Sequence, residues 1–237
     1  MFAFLRKIRR SLAESGSARK YLLYAIGEIA LVVIGILIAL QINNWNEWRK
    51  DRKKEKEILT ELALTLTNNI ERIDASNQEA TRNNLSRDII ISLFIEKPPF
   101  SDSLQRHFFV SSLGYEISTL NYGGYEMLKN EGFNILNSAM IRKEIVNLFE
   151  ISFMNLIKEE TEKRSEEYVK DVARYLIKNF TDRRVPNDYL ALLNDQLYVE
   201  NLKAIKEHES WLMGVRIKTL EETKRVLQLI KEELGKP

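Results

Sequence analysis

Few residues in this chain can do chemistry. Its 237 residues include two histidines, His107 and His208, and no cysteine. His208-Glu209 opens the H-E-x-x-H pattern, in which two imidazoles one helical turn apart hold zinc beside a glutamate base, but Leu212 stands where the second histidine belongs. A di-iron site in a helical bundle needs E-x-x-H pairs, and the residues three before the histidines are Ile205 and Leu104. No stretch resembles the G-x-S-x-G turn of a serine nucleophile, and Gly123-Gly124 lacks the Lys-Ser/Thr of a phosphate loop. Without cysteine there are no disulfides, thiolate ligands or thiol nucleophiles. The expectation is no catalytic site, no metal and no cofactor. His107, beside Phe108-Phe109, reads as a packing residue, and His208, on a charged helix, as a solvated one. One window has the side chains to line a small-molecule pocket: Tyr115, Tyr122, Tyr125 and Phe133, around Gly123-Gly124 and Gly132. The same aromatics can instead form the core of their segment, and core is the first expectation.

The elements that position these residues begin with residues 21–42, YLLYAIGEIALVVIGILIALQI, twenty-two positions with one charge, Glu28. As a helix the run covers about 33 Å, the thickness of a bilayer core. The long basic segment before it, and the lack of an A-x-A site after it, favour an uncleaved anchor over a signal peptide. Without Glu28 the apolar run is too short to cross, so the span takes this carboxylate in. Glu28 either faces a partner helix or a cavity, or reaches interfacial water from its off-centre position; the second is the simpler reading. Gly35 and Ala39 form a small-x-x-x-small pair, with Gly27 two turns earlier, a candidate helix–helix seam. Trp45 and Trp48 follow where an interfacial aromatic belt sits, opposite Arg19 and Lys20 at the other end.

Charge is divided. Residues 1–56 hold 12 Lys/Arg against 5 Asp/Glu, leaving 24 against 29 for the remainder. The basic residues flank the span, where anionic headgroups attract them, and the larger domain is acidic, which argues against nucleic acid as a partner. Six basic residues lie on each side of the span. The short N-terminal segment and its acid-free cluster at 6–10 favour an inner-membrane protein with its N-terminus in the cytoplasm and its helical domain outside.

Residues 20–47, KYLLYAIGEIALVVIGILIALQINNWNE, resemble the opening of a family of uncharacterised single-pass bacterial membrane proteins. There a basic N-terminus, a span with a G-E pair (here Gly27-Glu28) and an L-Q-I-N-N-W-N tail (here from Leu40 to Asn46) lead into a charged helical stalk. A looser match, Tyr125-Glu126-Met127-Leu128-Lys129-Asn130-Glu131-Gly132, is similar to the family's Y-E-x-L-K-x-x-G helix end. The resemblance implies an anchor and a helical fold, and it assigns no catalytic residue.

The rest is helical by pattern. Leu59, Leu62, Leu66 and Ile73 are spaced as a helical stripe with Asn69 at a seam position, a residue that sets register in a coiled coil or packs against later helices of the same chain. Residues 77–84 are almost wholly polar, which breaks coiled-coil regularity, and Pro98-Pro99 end the helix. Ser101 or Ser103 caps a short helix stopped by Gly114, and Gly132 ends another. Asn137 or Ser138 caps a helix reaching about residue 182, with its polar stretch 158–167 read as solvated. Asn187-Asp188 caps a short turn, and a last helix runs from about residue 195 to 234. The expected fold is all-α: a transmembrane helix continuing into a long helix, then an elongated antiparallel bundle with a small helical cap. Its parts are a basic segment (1–20), the span (21–42), a juxtamembrane and stalk helix (43–99), a cap (100–137) and two long helices (138–237), with the first and third long helices leading away from the membrane and the second returning. The functional expectation is a membrane-anchored scaffold acting through protein contacts, with the bilayer, a second copy or an unidentified membrane or envelope protein as partner. The alternative is a ligand-sensing bundle without its own output domain.

Overall fold

Between Gly35 and Pro98 the chain holds neither glycine nor proline, and one helix, α1, runs Ala18–Glu96. The computed structural model describes residues 18–111, 118–162 and 167–235, and it divides into two units, Met1–Lys54 and Glu55–Pro237. From Leu22 to Ile42 α1 is apolar on all sides except at Glu28 and Gln41, and the side chains of Leu22, Leu31, Leu37 and Ile42 are all exposed. The cluster at 6–10, Gly114 and Tyr115 lie outside the described residues.

The second unit is built from the remainder of α1 and from α2 (Leu104–Ser111), α3 (Gly123–Glu131), α4 (Ala139–Asn147), α5 (Phe153–Glu162), α6 (Glu167–Asn179), α7 (Tyr189–Leu192) and α8 (Gln196–Leu234). Local chemistry sets the boundaries. α1 stops at Glu96, ahead of Pro98-Pro99, and Lys97 takes a left-handed φ of 48°. Ser138, Asp188 and Asp195 cap α4, α7 and α8 through side-chain oxygens that accept from Ile141, Ala191 and Tyr198 N–H groups. Gly132 closes α3 at φ 88°, a conformation glycine adopts without strain. The fold is all-α, as the patterning predicts, apart from one small hairpin.

The course of the chain departs from expectation. The described residues from Ser111 to Asn137 run back along α1 instead of folding up as a compact cap. Contacts step down the helix from Ser111 on Arg87, through Ser118 on Ser76 and Asn121 on Asn69, to Gly124 on Thr65 and Asn137 on Glu55. α4 therefore starts beside Glu55 and leads in the same direction as α1, while α8 comes back, pairing Asn84 with Ser210, Asp88 with Lys206, and Glu144 with Arg225. The second unit is a four-pass arrangement, with the return segment as a pass of its own, so the two later long passes have the opposite sense to the one the patterning suggests.

Two local features carry no legible signal. A π-turn, Leu148–Ser152, joins α4 to α5. A two-residue antiparallel pair, Phe180–Thr181 with Val185–Pro186, ends the pass through α6. In its turn Arg184 N–H donates to Thr181 O (3.1 Å), and Asp182 and Arg183 have φ of 50° and 58°, the signs of a type I′ turn. Aspartate tolerates this region; arginine does so at a cost of about 1 kcal/mol. Arg183→Gly should therefore raise stability by roughly 0.5–1 kcal/mol despite the freer unfolded chain. An unchanged or lower urea midpoint would contradict this reading of the turn.

Candidate functional site

The buried apolar residues of the second unit fall into two clusters. One, at the Glu55 end, joins Ile58, Leu62, Leu66 and Ile73 of α1 to Leu128, Ile145, Phe149, Phe153, Leu227 and Ile230. The other, at the Glu96 end, joins Ile90 and Leu93 to Phe108, Leu176, Phe180, Tyr198, Leu202 and Leu212. Between them, the inward positions of α1 are Ser76, Ala80, Asn83 and Arg87, all buried. Glu160 of α5 and Glu209 and Arg216 of α8 are buried with them.

This layer is organised around one guanidinium. Arg216 Nε donates to Glu160 Oε1 at 2.7 Å, and its Nη1 to Glu209 Oε1 at 3.0 Å. The Ser118 backbone N–H donates to Glu160 Oε2 (2.8 Å) and its hydroxyl to Oε1 (3.0 Å), with Ser76 Oγ 3.2 Å away. Glu160, fully buried, thus receives three donors from two passes, and the network touches all four. Arg87 Nε donates to Ser111 O, and its Nη1 to Asn84 Oδ1. Two buried acceptors are left over: Glu209 Oε2 and Asn83 Oδ1 have no hydrogen-bond partner. Such a layer holds passes in one register, and breaking any member of it exposes a neighbour to uncompensated burial.

The sequence contains a trace of this layer. Glu209 and Arg216 sit at stripe positions of α8, between Ile205, Leu212 and Leu220, and residues 77–84 interrupt the stripe of α1. Glu160 carries no such signal, because its run 158–167 reads as solvated, yet Glu160 is fully buried. His208 is half-buried and stacked on Trp211, not solvated on all sides, and His107 packs with Nδ1 3.2 Å from Ser86 Oγ.

The other predicted residues are placed as follows. Tyr125 is buried and stacked face to face on Phe149 at 4.5 Å, with Phe133 tilted against it at 6.1 Å. Its hydroxyl donates to Glu150 Oε1 at 2.7 Å. Burial first, then this bond to a carboxylate, pushes its pKa up, so it stays a donor. Tyr122 packs edge-on against Phe149 at 5.6 Å, and burial raises its pKa also. These three aromatics belong to or pack against the Glu55-end core. Gly124, beside them, is a contact point: a Cβ there would lie 2.8 Å from Leu62 N and Cα. Asn69 is a bracket and not an intermolecular seam, with its amide donating to Asn121 O (2.9 Å) and its Oδ1 accepting from Asn121 N–H (2.6 Å). On α1, Glu28, Gly35 and Ala39 share one face, exposed, with open space around Gly35, and Trp45 and Trp48 are exposed further on. Arg19 and Lys20 stand on the first turn of α1, their side chains outside the described part. Among the described residues no group of three His, Asp or Glu side chains is placed to hold a metal ion.

The family model DUF6090, described as a family of unknown function, matches residues 28–182. The chain belongs to this family. The matched region takes in Glu28, the Leu40–Asn46 tail, Tyr125 to Gly132 and Glu160, and it ends within the hairpin turn, ahead of the helix that supplies Glu209 and Arg216. No curated protein and no solved structure matches the chain.

Proposed function

We propose that this DUF6090 chain is a single-pass membrane protein of the inner membrane, N-terminus in the cytoplasm, whose helical bundle works as a scaffold through contact with a partner protein or a second copy. One observation supports it above the rest. The apolar stretch of α1 has a mean hydropathy of 2.5 over its best window and buries none of that window within the chain. A helix apolar on all sides belongs either inside a protein or in lipid, and in water each such large side chain forgoes about 1.5–3 kcal/mol. The scaffold reading stands ahead of the ligand sensor because Tyr122, Tyr125 and Phe133, which a sensor pocket would need, belong to or pack against the core. Because the chain lacks cysteine, Ser15→Cys and Lys224→Cys can be labelled singly with a membrane-impermeant thiol reagent in intact cells. Labelling at 224 alone is expected. Labelling at 15 alone would reverse the orientation, and recovery of the full chain in the soluble fraction after an alkaline wash would overturn the anchor.

With Glu28, Gly35 and Ala39 on one free face of the span, a partner helix would come from another molecule. A buried interhelical hydrogen bond in lipid is worth about 1 kcal/mol, so Glu28→Leu should insert normally and lower crosslinking in membranes several-fold. Unchanged crosslinking would count against a packing role for Glu28.

A further inference from the structure

We infer that the charged layer is a built-in break in the bundle, across which the half at the Glu96 end opens as a unit while the half at the Glu55 end stays folded. Three independent observations carry this. First, among the described residues the buried apolar side chains form two clusters with the layer between them. Apolar cohesion therefore does not run continuously through the bundle, and cooperativity follows contiguous packing. Second, the layer gives little back for being buried. Desolvation offsets the Arg216–Glu160–Glu209 attraction, and Glu209 Oε2 and Asn83 Oδ1 regain hydrogen bonds only when water enters. Opening at this level thus rehydrates both acceptors together with the three charged side chains. Third, the Glu96 end is built from weaker pieces: the eight-residue α2, the four-residue α7 and the two-residue hairpin. All three described non-glycine residues with positive φ, Lys97, Asp182 and Arg183, are found there. At the Glu55 end, Phe149 and Tyr125 anchor a connected set of five aromatic rings, and the two buried polar residues on the inward face of α1 between Ile58 and Ile73, Thr65 and Asn69, are both hydrogen-bonded.

The consequence is a movable head. Opening at the layer uncovers Phe108, Phe180 and Tyr198, aromatic surface of the kind that protein contacts use, while the other half holds its shape. The inference does not depend on the membrane reading, because every residue it uses lies in the second unit.

Hydrogen exchange read by mass spectrometry on the full chain in detergent micelles tests it. In the wild type, peptides covering 176–205 should exchange at least tenfold faster than those covering 58–73 and 141–156, through an opening less sensitive to denaturant. A single opening common to both halves would overturn the inference. The variant Glu160→Leu/Glu209→Leu/Arg216→Met, which makes the layer apolar, should close most of that gap by slowing 176–205; a folded variant with the gap unchanged would also overturn it. Asn83→Leu removes one unpaired acceptor without touching the ion pairs, and it should slow the same peptides if the triple variant does not fold. Faster exchange of 176–205 in Asn83→Leu would count against the layer as the break.

Discussion

Gly124→Ala should cost the bundle about 3 kcal/mol, at the upper end of what overpacking a fixed contact costs, while Gly123→Ala stays within about 1 kcal/mol of the parent. The two glycines are adjacent, both in the first turn of α3, and both changes would add the same helix propensity. Their surroundings differ. A Cβ on Gly124 meets backbone, at 2.8 Å from Leu62 N and Cα and 2.9 Å from Glu61 C, and α1 cannot yield there without losing its own hydrogen bonds. The Gly124 N–H also donates to Thr65 Oγ1 at 3.0 Å, so moving α3 outward breaks a buried bond. A Cβ on Gly123 meets only the Asn121 Oδ1 side-chain atom, at 3.3 Å, which can turn aside. Urea unfolding of the two variants in parallel tests this. Equal midpoints would mean that α3 does not sit against α1 as closely as described.

The second large effect is expected at Arg216. Arg216→Met leaves Glu160 and Glu209 buried without their shared cation, and loss of one partner from such a set costs about 3–5 kcal/mol. Arg216→Lys should recover only part of this, because an ammonium cannot reproduce the guanidinium fork that reaches Glu160 through Nε and Glu209 through Nη1. Adding Glu160→Leu and Glu209→Leu to Arg216→Met should bring stability back to the parent's level or above it, since the three residues act as one network and their effects do not add. A triple variant no more stable than Arg216→Met would mean that the loss came from packing of the arginine stem and not from the stranded carboxylates.

What the sequence alone determined is local. The apolar length of 21–42, the stops at Pro98 and Gly132, the caps at Ser138 and Asp188, the start of the last helix near 195 and the stripes of α1 and α8 all depend on neighbours within a turn or two, where propensity and periodicity act directly. The motif residues around Gly27-Glu28 and Tyr125 to Gly132 also lie within or against the region matched by the family, 28–182. The Gly-Gly pair and the aromatics at 122–133 were legible as a special place, but not as a site where one helix meets the backbone of another.

Tertiary structure decided what depends on residues far apart in the chain. The return of the chain along α1 rests on pairs such as Asn69 with Asn121 and Glu55 with Asn137, polar residues whose distant partners no local pattern names. The same holds for Glu160: a glutamate in a charged run is buried here because Ser118 and Arg216, 42 and 56 residues away, bring three donors to it. Charge pairing has no period along a helix, so neither hydrophobic pattern nor capping signals can announce it. It exists only once the passes are side by side, and that is why the charged layer, unlike the helices that carry it, came from the fold.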